Sequence, residues 1–195
     1  MRNLRGLPIT RSGCKDPKLN IFYSLVDGTE FIMRQPRKDD RGKQKLAWRE
    51  MSENTKTRYR RVNVDKKIYD MNYRCKMPLY RGEIPGLMPL SMEVEDKVVG
   101  FADIIFKYGT EFQKFNIQPT EKACNASLGV IDKYQGMGIG TLYAATTNAI
   151  GRHYGMDYIL GTTFQRDGMY NIRVRDGCEV IRIQNGLVDH KKYLK

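Results

Sequence analysis

The stretch Leu128 to Thr141 reads LGVIDKYQGMGIGT, and Gln135 to Gly140 within it, QGMGIG, places three glycines in six residues. An extended apolar run precedes it. Behind it, Ile139, Leu142, Tyr143, Thr146, Ala149, Ile150 and His153 recur at the spacing of one helix face, with Gly155 as a stop. A strand, a glycine turn and a helix start together make an anion site, because the first helical N–H groups have no partner within the helix and the helix dipole points its positive end the same way. Glycines at alternate positions let successive N–H groups converge on such an anion and let the backbone approach it without Cβ clashes. Phosphates are the usual guests. The spacing is GxGxG, without the early GxGxxG of a dinucleotide site, and no GxxxxGK followed by Ser or Thr occurs.

Outward from this loop, ACNASLGVI reads as the strand that ends at it. LSMEVEDKVVGFADIIF offers two extended runs, SMEVE and VVGFADIIF, joined at Asp96-Lys97, the first alternating apolar with acidic as a half-buried strand does. Further upstream, DGTEFIMRQPRKDD predicts a strand from the turn signal Asp27-Gly28 up to Pro36. A short basic helix follows, with Asp39 or Asp40 at its start and Leu46, Trp48 and Met51 as its apolar side. Downstream, DYILGTT reads as a buried strand, the segment to Gly177 as helix, and CEVIRIQNGLVDHKKYL as two strands around the hairpin dipeptide Asn185-Gly186. This order predicts a single α/β (α+β) domain with a mixed sheet over residues 28–195, behind an N-terminal extension of residues 1–27.

The 195 residues suffice for one domain with a core of its own. Cys14, Cys75, Cys124 and Cys178 lie far apart, and with two histidines no zinc set assembles at ligand spacing, so reduced thiols in a cytoplasmic protein and no metal are expected. No apolar run reaches the ~18 residues of a membrane span. The net charge of +12 is uneven: residues 1–90 hold 21 Lys and Arg against 10 Asp and Glu, the remainder 13 against 12. A field of that kind attracts nucleic acid, acidic proteins or phosphorylated ligands. TKTRYRRVN, residues 55–63, mixes basic residues with Tyr59 and reads either as an RNA-binding surface or as an exposed helix end whose tyrosine packs inward. The loop of residues 78–89, rich in Pro and Gly, separates the two halves.

Gln135-Gly136-Met137-Gly138-Ile139-Gly140 resembles the Q/R-x-x-G-x-G/A signature of the GNAT superfamily of acyl-CoA-dependent N-acetyltransferases, and Leu128-Gly129-Val130 resembles the L-x-V strand of that family. EFIMRQPRKDD with LAWREMSENTKTRYRR is similar to the opening "iRpirpeD…lS..sryrRF" pattern, and VEDKVVGFADI to the "e.dg.ivGfa.l" hairpin. The resemblance covers roughly residues 28 to 195. It implies a mostly antiparallel sheet that splays open at a coenzyme A site. It also implies acetyl-CoA as cofactor, held by Leu128, Gly129 and Val130 on the strand and by Gln135, Gly136, Met137, Gly138, Ile139, Gly140 and Thr141 on the loop. All three glycines would then admit a pyrophosphate, with Gln135 adding a side-chain hydrogen bond.

The same resemblance implies acetyl transfer to a primary amine, with the Val130 N–H as oxyanion donor. The family's "N..A..lY.k.GF" segment corresponds to Arg166, Met169, Ile172-Arg173 and Gly177-Cys178, so Arg173 stands where a proton-donating tyrosine is expected. Tyr170, about one helical turn earlier, is the substitute general acid. Where relatives place a glutamate on the strand before the loop, this sequence offers Cys124, Asn125 and Ser127; Asp103, Glu93 and Glu95 on the hairpin are the candidate bases. Cys124 reads as a small buried thiol rather than an acyl carrier, and His153 as a capping or surface residue. The basic first half points to a macromolecular, acidic acceptor such as a protein amine. The alternatives are an amine on modified DNA or tRNA, or a non-catalytic CoA-binding module; a homodimer is allowed.

Overall fold

The computed structural model describes residues 20–25, 27–37, 40–62, 79–80, 84–85, 87–108, 115–118 and 120–194. Cys14, Cys75, most of the N-terminal extension and much of the Pro- and Gly-rich loop lie outside the described residues. The elements in chain order are β1 (Asn20–Ser24), β2 (Glu30–Arg34), α1 (Asp40–Glu50), α2 (Glu53–Val62), a two-residue pair β3 (Leu79–Tyr80) and β4 (Ile84–Pro85), β5 (Leu87–Val94), β6 (Lys97–Tyr108), β7 (Lys122–Val130), α3 (Ile139–His153), β8 (Tyr158–Phe164), α4 (Gly168–Arg175), β9 (Glu179–Gln184) and β10 (Leu187–Tyr193).

Eight strands form one sheet in the order β1-β2-β5-β6-β7-β8-β10-β9. Every neighbouring pair is antiparallel except β7–β8. That exception follows from the chain path, since α3 carries the chain from the end of β7 back to the start of β8, the crossover a parallel pair requires. Both tight hairpins use two residues at positive φ, Glu95 and Asp96 at 48° and 61°, Asn185 and Gly186 at 52° and 75°. That geometry matches the right-handed twist of the strands they join. β6 and β7 approach so closely at Gly100 that a Cβ there would stand 2.6 Å from the Gly129 carbonyl oxygen.

The strand, helix and hairpin order read from the sequence is present, apart from β3, β4 and the first residues of β5, which fall in the stretch 78–89 read as a loop, and three further differences. β1 lies inside the stretch assigned to the N-terminal extension, yet it pairs with all of β2, and its Tyr23 hydroxyl meets Thr146 on α3 at 2.6 Å. β5 is covered on both faces, so Glu93 is buried rather than solvated. Leu46 is 55% exposed; α1 presses Ala47 and Met51 against Val98, Phe101 and Ile131 instead, with Trp48 packed at the edge. On the other face α3 contributes Ile139, Leu142, Tyr143 and Ile150 to the main core. Among the described residues no helix is long and apolar enough to cross a membrane.

What keeps Glu93 buried is Arg34. Its guanidinium donates to both carboxylate oxygens of Asp40 at 2.6 and 2.7 Å, to Glu93 Oε2 at 3.0 Å and also to Glu93 Oε1, and to the Gln35 carbonyl at 2.9 Å. One side chain thus ties β2 to β5 and to the first turn of α1. Burial alone would raise the Asp40 carboxyl, but bonds from Arg34 and the Arg37 N–H outweigh it and hold the group below the usual carboxylate range. Arg34→Met would strand two buried carboxylates. It is expected to cost about 3–5 kcal/mol in urea unfolding. Because Asp40 loses its proton more readily in the folded chain, its contribution is complete above its unfolded value near pH 4 and fades as pH falls further. The wild type should therefore lose stability below about pH 4 more steeply than Asp40→Asn.

Candidate active site

β7 and β8 pair over only three residues, Ala123, Cys124 and Asn125 against Tyr158, Ile159 and Leu160. Beyond them the strands part. Ala126 to Val130 on one side and Gly161 to Phe164 on the other wall a cleft of about 300 Å³, closed by α3, α4 and α2. The register decides which backbone groups face it. Ile131 donates to the Val99 carbonyl at 2.8 Å, so in the antiparallel alternation Gly129 and Ser127 bond to β6, whereas Leu128 and Val130 turn their N–H and C=O groups away from β6 toward the gap, where the Val130 carbonyl accepts from Gln135 and the rest stay open. The edge of β7 is thereby left open to an extended guest.

At the mouth, α3 starts without a cap: Gly138 occupies the N-cap position at φ 95°, no side chain accepts from the first turn, and no acidic residue lies in it. Among the described residues the N–H groups of Gly136, Met137, Gly138, Ile139 and Gly140 have no acceptor, while those of Gln135, Thr141 and Leu142 are bonded to Asp132 O and Gly138 O. Five consecutive donors are therefore open at the cleft mouth, where an anion can bind. Gly136 at φ 83° and Gly138 at φ 95° curl the loop around that point, a conformation a Cβ would oppose.

Two loop residues act differently from expectation. Gly140 is small because α4 packs on it; a Cβ there would meet Ile172 Cδ1 at 2.8 Å. Gln135 turns its amide inward, donating to the Val130 carbonyl at 3.0 Å and to Thr55 Oγ1 at 3.2 Å, so it braces the loop rather than reaching toward a phosphate. Asp132 completes this brace by accepting from the Ser52 N–H, Ser52 Oγ and Thr55 Oγ1 at 2.7 to 2.9 Å. α2 and the loop are thereby stitched together. Met137 packs its side chain against the core.

The remaining walls include residues the sequence reading missed. Thr55 and Arg58 of α2 line the cleft, and Arg58 crosses its rim to Asp167 at 3.6 Å, over the Phe164 ring. They fall three apart in the basic stretch 55–63, a helical spacing that could have marked one face; the side chain of Tyr59 lies outside the described residues. Tyr143 lines the cleft floor with its hydroxyl donating to the Ser127 carbonyl at 2.7 Å, and burial pushes its ionisation well up. Arg173 also lines the cleft.

Of the proposed catalytic residues, Val130 lines the cleft and the others do not. Tyr170 sits on the flank of α4, its ring 5.7 Å from that of His190, so one turn of offset carries it off the cleft face. Asn125 is at the last paired position of β7, its Oδ1 buried without a partner. Asp103 is buried across from cleft-lining Ser127. Glu93 is held by Arg34, and Glu95 lies in the exposed hairpin turn. Burial pushes the Cys124 thiol up to about 12, in keeping with an inert buried cysteine.

No family model and no curated protein matches this sequence. Solved structures do. The GNAT domain of S. lividans PAT superposes with a TM-score of 0.70 at 14% identity, covering 90% of this chain and 97% of that one. The PaiA N-acetyltransferase from Thermoplasma acidophilum in complex with coenzyme A gives 0.57 at 13% identity, over 84% and 98%. YncA from Salmonella typhimurium with acetyl-CoA, a structure described as a putative acetyltransferase, gives 0.56 at 15% identity, over 85% and 94%. The chain is built on the fold of the GNAT acetyltransferases.

Proposed function

We propose that this protein transfers an acetyl group from acetyl-CoA to a primary amine on an acidic macromolecule, with a protein amine as first choice. The observation that carries this reading is the run of five unpartnered N–H groups at an uncapped helix start, set at the mouth of the one place where the sheet opens. The residues present fit the cofactor. The amides of Gly136 to Gly140 bind the diphosphate, and the Val130 N–H and the Leu128 carbonyl pair with the amide-bearing arm, the Val130 carbonyl being held by Gln135. Acetyl-CoA supplies the acyl group as an activated thioester. The Leu128 N–H, on the same open edge and nearer the closed end of the cleft than that of Val130, donates to the carbonyl oxygen as it gains charge. Asp103, alone among the three acids read from the hairpin, stands in register with a cleft-lining residue, and it accepts the amine proton directly or through water.

The acceptor side is set by charge. α2 contributes Thr55 and Arg58 to the cleft wall, and it belongs to the half of the chain that holds nearly all the net positive charge. A cationic small molecule is disfavoured there, and an acidic surface is drawn in. An amine on a nucleic acid would use the same field; if it is the acceptor, retention of that polynucleotide should fall steeply with salt.

Calorimetric titration with acetyl-CoA is expected to show one site in the wild type and none in Gly138→Val. Gly140→Ala should keep the site with at most a small change in thermal stability, since its Cβ meets only the movable tip of Ile172. Absence of heat in the wild type would defeat the reading. Asp103→Asn is expected to lower kcat about 10²-fold or more with the acetyl-CoA KM unchanged; intact-mass analysis of acidic peptides and amine-bearing oligonucleotides after incubation reports the acceptor class.

A further inference from the structure

Arg173 is a charged side chain buried to 2% exposure, and its Nε and Nη1 have no hydrogen-bond partner. Among the described residues no carboxylate pairs with it. Its charge acts on the Cys124 thiol on β7, the Tyr143 phenol on α3, the Cys178 thiol after α4 and the His190 imidazole on β10, groups without charge at neutral pH. Asp103, Asp176 and Asp189 act on the same cluster, but Asp176 and Asp189 are paired with Lys192 and Arg182, and Asp103 makes no ion pair with the guanidinium. His190, which shares a 2.6 Å hydrogen bond with Thr163, is pushed down to about 4, by burial first and by the Arg173 charge second. A guanidinium cannot shed its proton to escape this situation. A buried cation with no counter-ion is costly, so its retention points to an anion that arrives during function.

The position says which anion. A Cβ placed on Gly161 would lie 3.8 Å from Arg173 Nε, 3.9 Å from Nη2 and 3.9 Å from the Ala126 carbonyl oxygen. Ala126 and Gly161 are the first residues after the last β7–β8 pair, Asn125–Leu160, so the guanidinium stands at the closed apex of the cleft. From there to Val130 the strand runs about 13 Å at ~3.3 Å per residue, and the unpartnered amides of the loop follow. A guest anchored by its diphosphate at the mouth and laid along β7 as an extended arm brings its sulfur to the apex. Neither Tyr143 nor Tyr170 is placed to protonate it, since Tyr143 gives its proton to the Ser127 carbonyl and Tyr170 faces His190; the Ser127 hydroxyl, a far weaker acid, is the one buried hydroxyl without a partner among the described cleft-lining residues.

We propose that Arg173 is the counter-ion of the departing thiolate, so that the leaving group is stabilised by a fixed charge instead of a donated proton. This rests on the acetyl-transfer reading. The amine nitrogen bonds to the acyl carbon, the C–S bond breaks, and sulfur keeps the electron pair beside the guanidinium. The proton lost by the amine leaves through the base on the acceptor side, and the thiolate takes a proton from water once released.

The test is titration of the coenzyme A thiol in its complex with the protein, followed by thiolate ultraviolet absorbance with the desulfo-coenzyme A complex as blank. The bound thiol is expected to ionise at least about one pH unit below free coenzyme A. Arg173→Gln should abolish the shift, Arg173→Lys should keep part of it, and coenzyme A affinity should change little. In parallel, kcat of Arg173→Gln should fall about 10²- to 10³-fold. An unshifted thiol in a wild-type complex that calorimetry shows to be formed would overturn the assignment and leave acetyl transfer standing; this outcome needs no variant to fold. Absence of any complex would bring down both. A strong preference for acyl groups ending in a carboxylate, lost in Arg173→Gln, would also overturn it by assigning the charge to the acyl chain.

Discussion

The parting of β7 from β8 is the constraint on which the rest depends. Two strands joined by a helical crossover run parallel, and here they stay paired for three residues before diverging. Divergence leaves the outward N–H groups of Leu128 and Val130 and the Leu128 carbonyl without a strand to bond, open to an extended guest, while the Val130 carbonyl is taken by Gln135. The same crossover begins with a helix whose first N–H groups are equally without acceptors. Strand edge and helix start therefore face one gap, and an elongated guest with an anionic end satisfies both.

Holding such a gap open requires rigidity around it. Arg34 binds β2, β5 and α1 through two buried carboxylates, fixing the half of the sheet that carries α1 and α2. Asp132 and Gln135 then fasten α2 to the loop through Ser52 and Thr55, and Arg58 reaches Asp167 at the opposite rim. The α2 wall and the glycine loop are thus parts of one hydrogen-bonded frame; on the proposed reading, a substrate seated against α2 and a cofactor held by the loop would meet at a set distance, which is where much of the rate enhancement of a transfer reaction originates.

Much of this was legible in the residues. Alternation, glycine stops and the Asn185-Gly186 turn placed β2 and most of β5 to β10, because those signals are local; β3, β4 and the first residues of β5 fall in the stretch 78–89 that the prolines and glycines marked as loop. β1 escaped since its stability comes from pairing with β2 and from Tyr23 reaching α3, contacts that no local pattern encodes. Burial of Glu93 escaped for the same reason, as its acidic character argues for solvent unless Arg34 is known to lie beside it. Within the site, Gly136 and Gly138 take the left-handed conformation that their sequence pattern suggested, while Gly140 packs against Ile172 and Gln135 braces Val130 and Thr55, contacts that no local pattern encodes. Arg173 was visible as a departure from the family pattern; that it is buried with Nε and Nη1 unpartnered, and with no ion pair among the described residues, is a tertiary fact.

Amide resonances report most directly on whether the strand edge and the helix start hold one guest. With the backbone assigned, coenzyme A should shift the N–H signals of Gly136 to Gly140 together with those of Leu128 and Val130, in one saturable transition, while amides in α1 and around Gly100 stay in place. Saturation that moved only residues outside this cleft, or that moved the loop but left Leu128 and Val130 unchanged, would contradict a guest lying along β7.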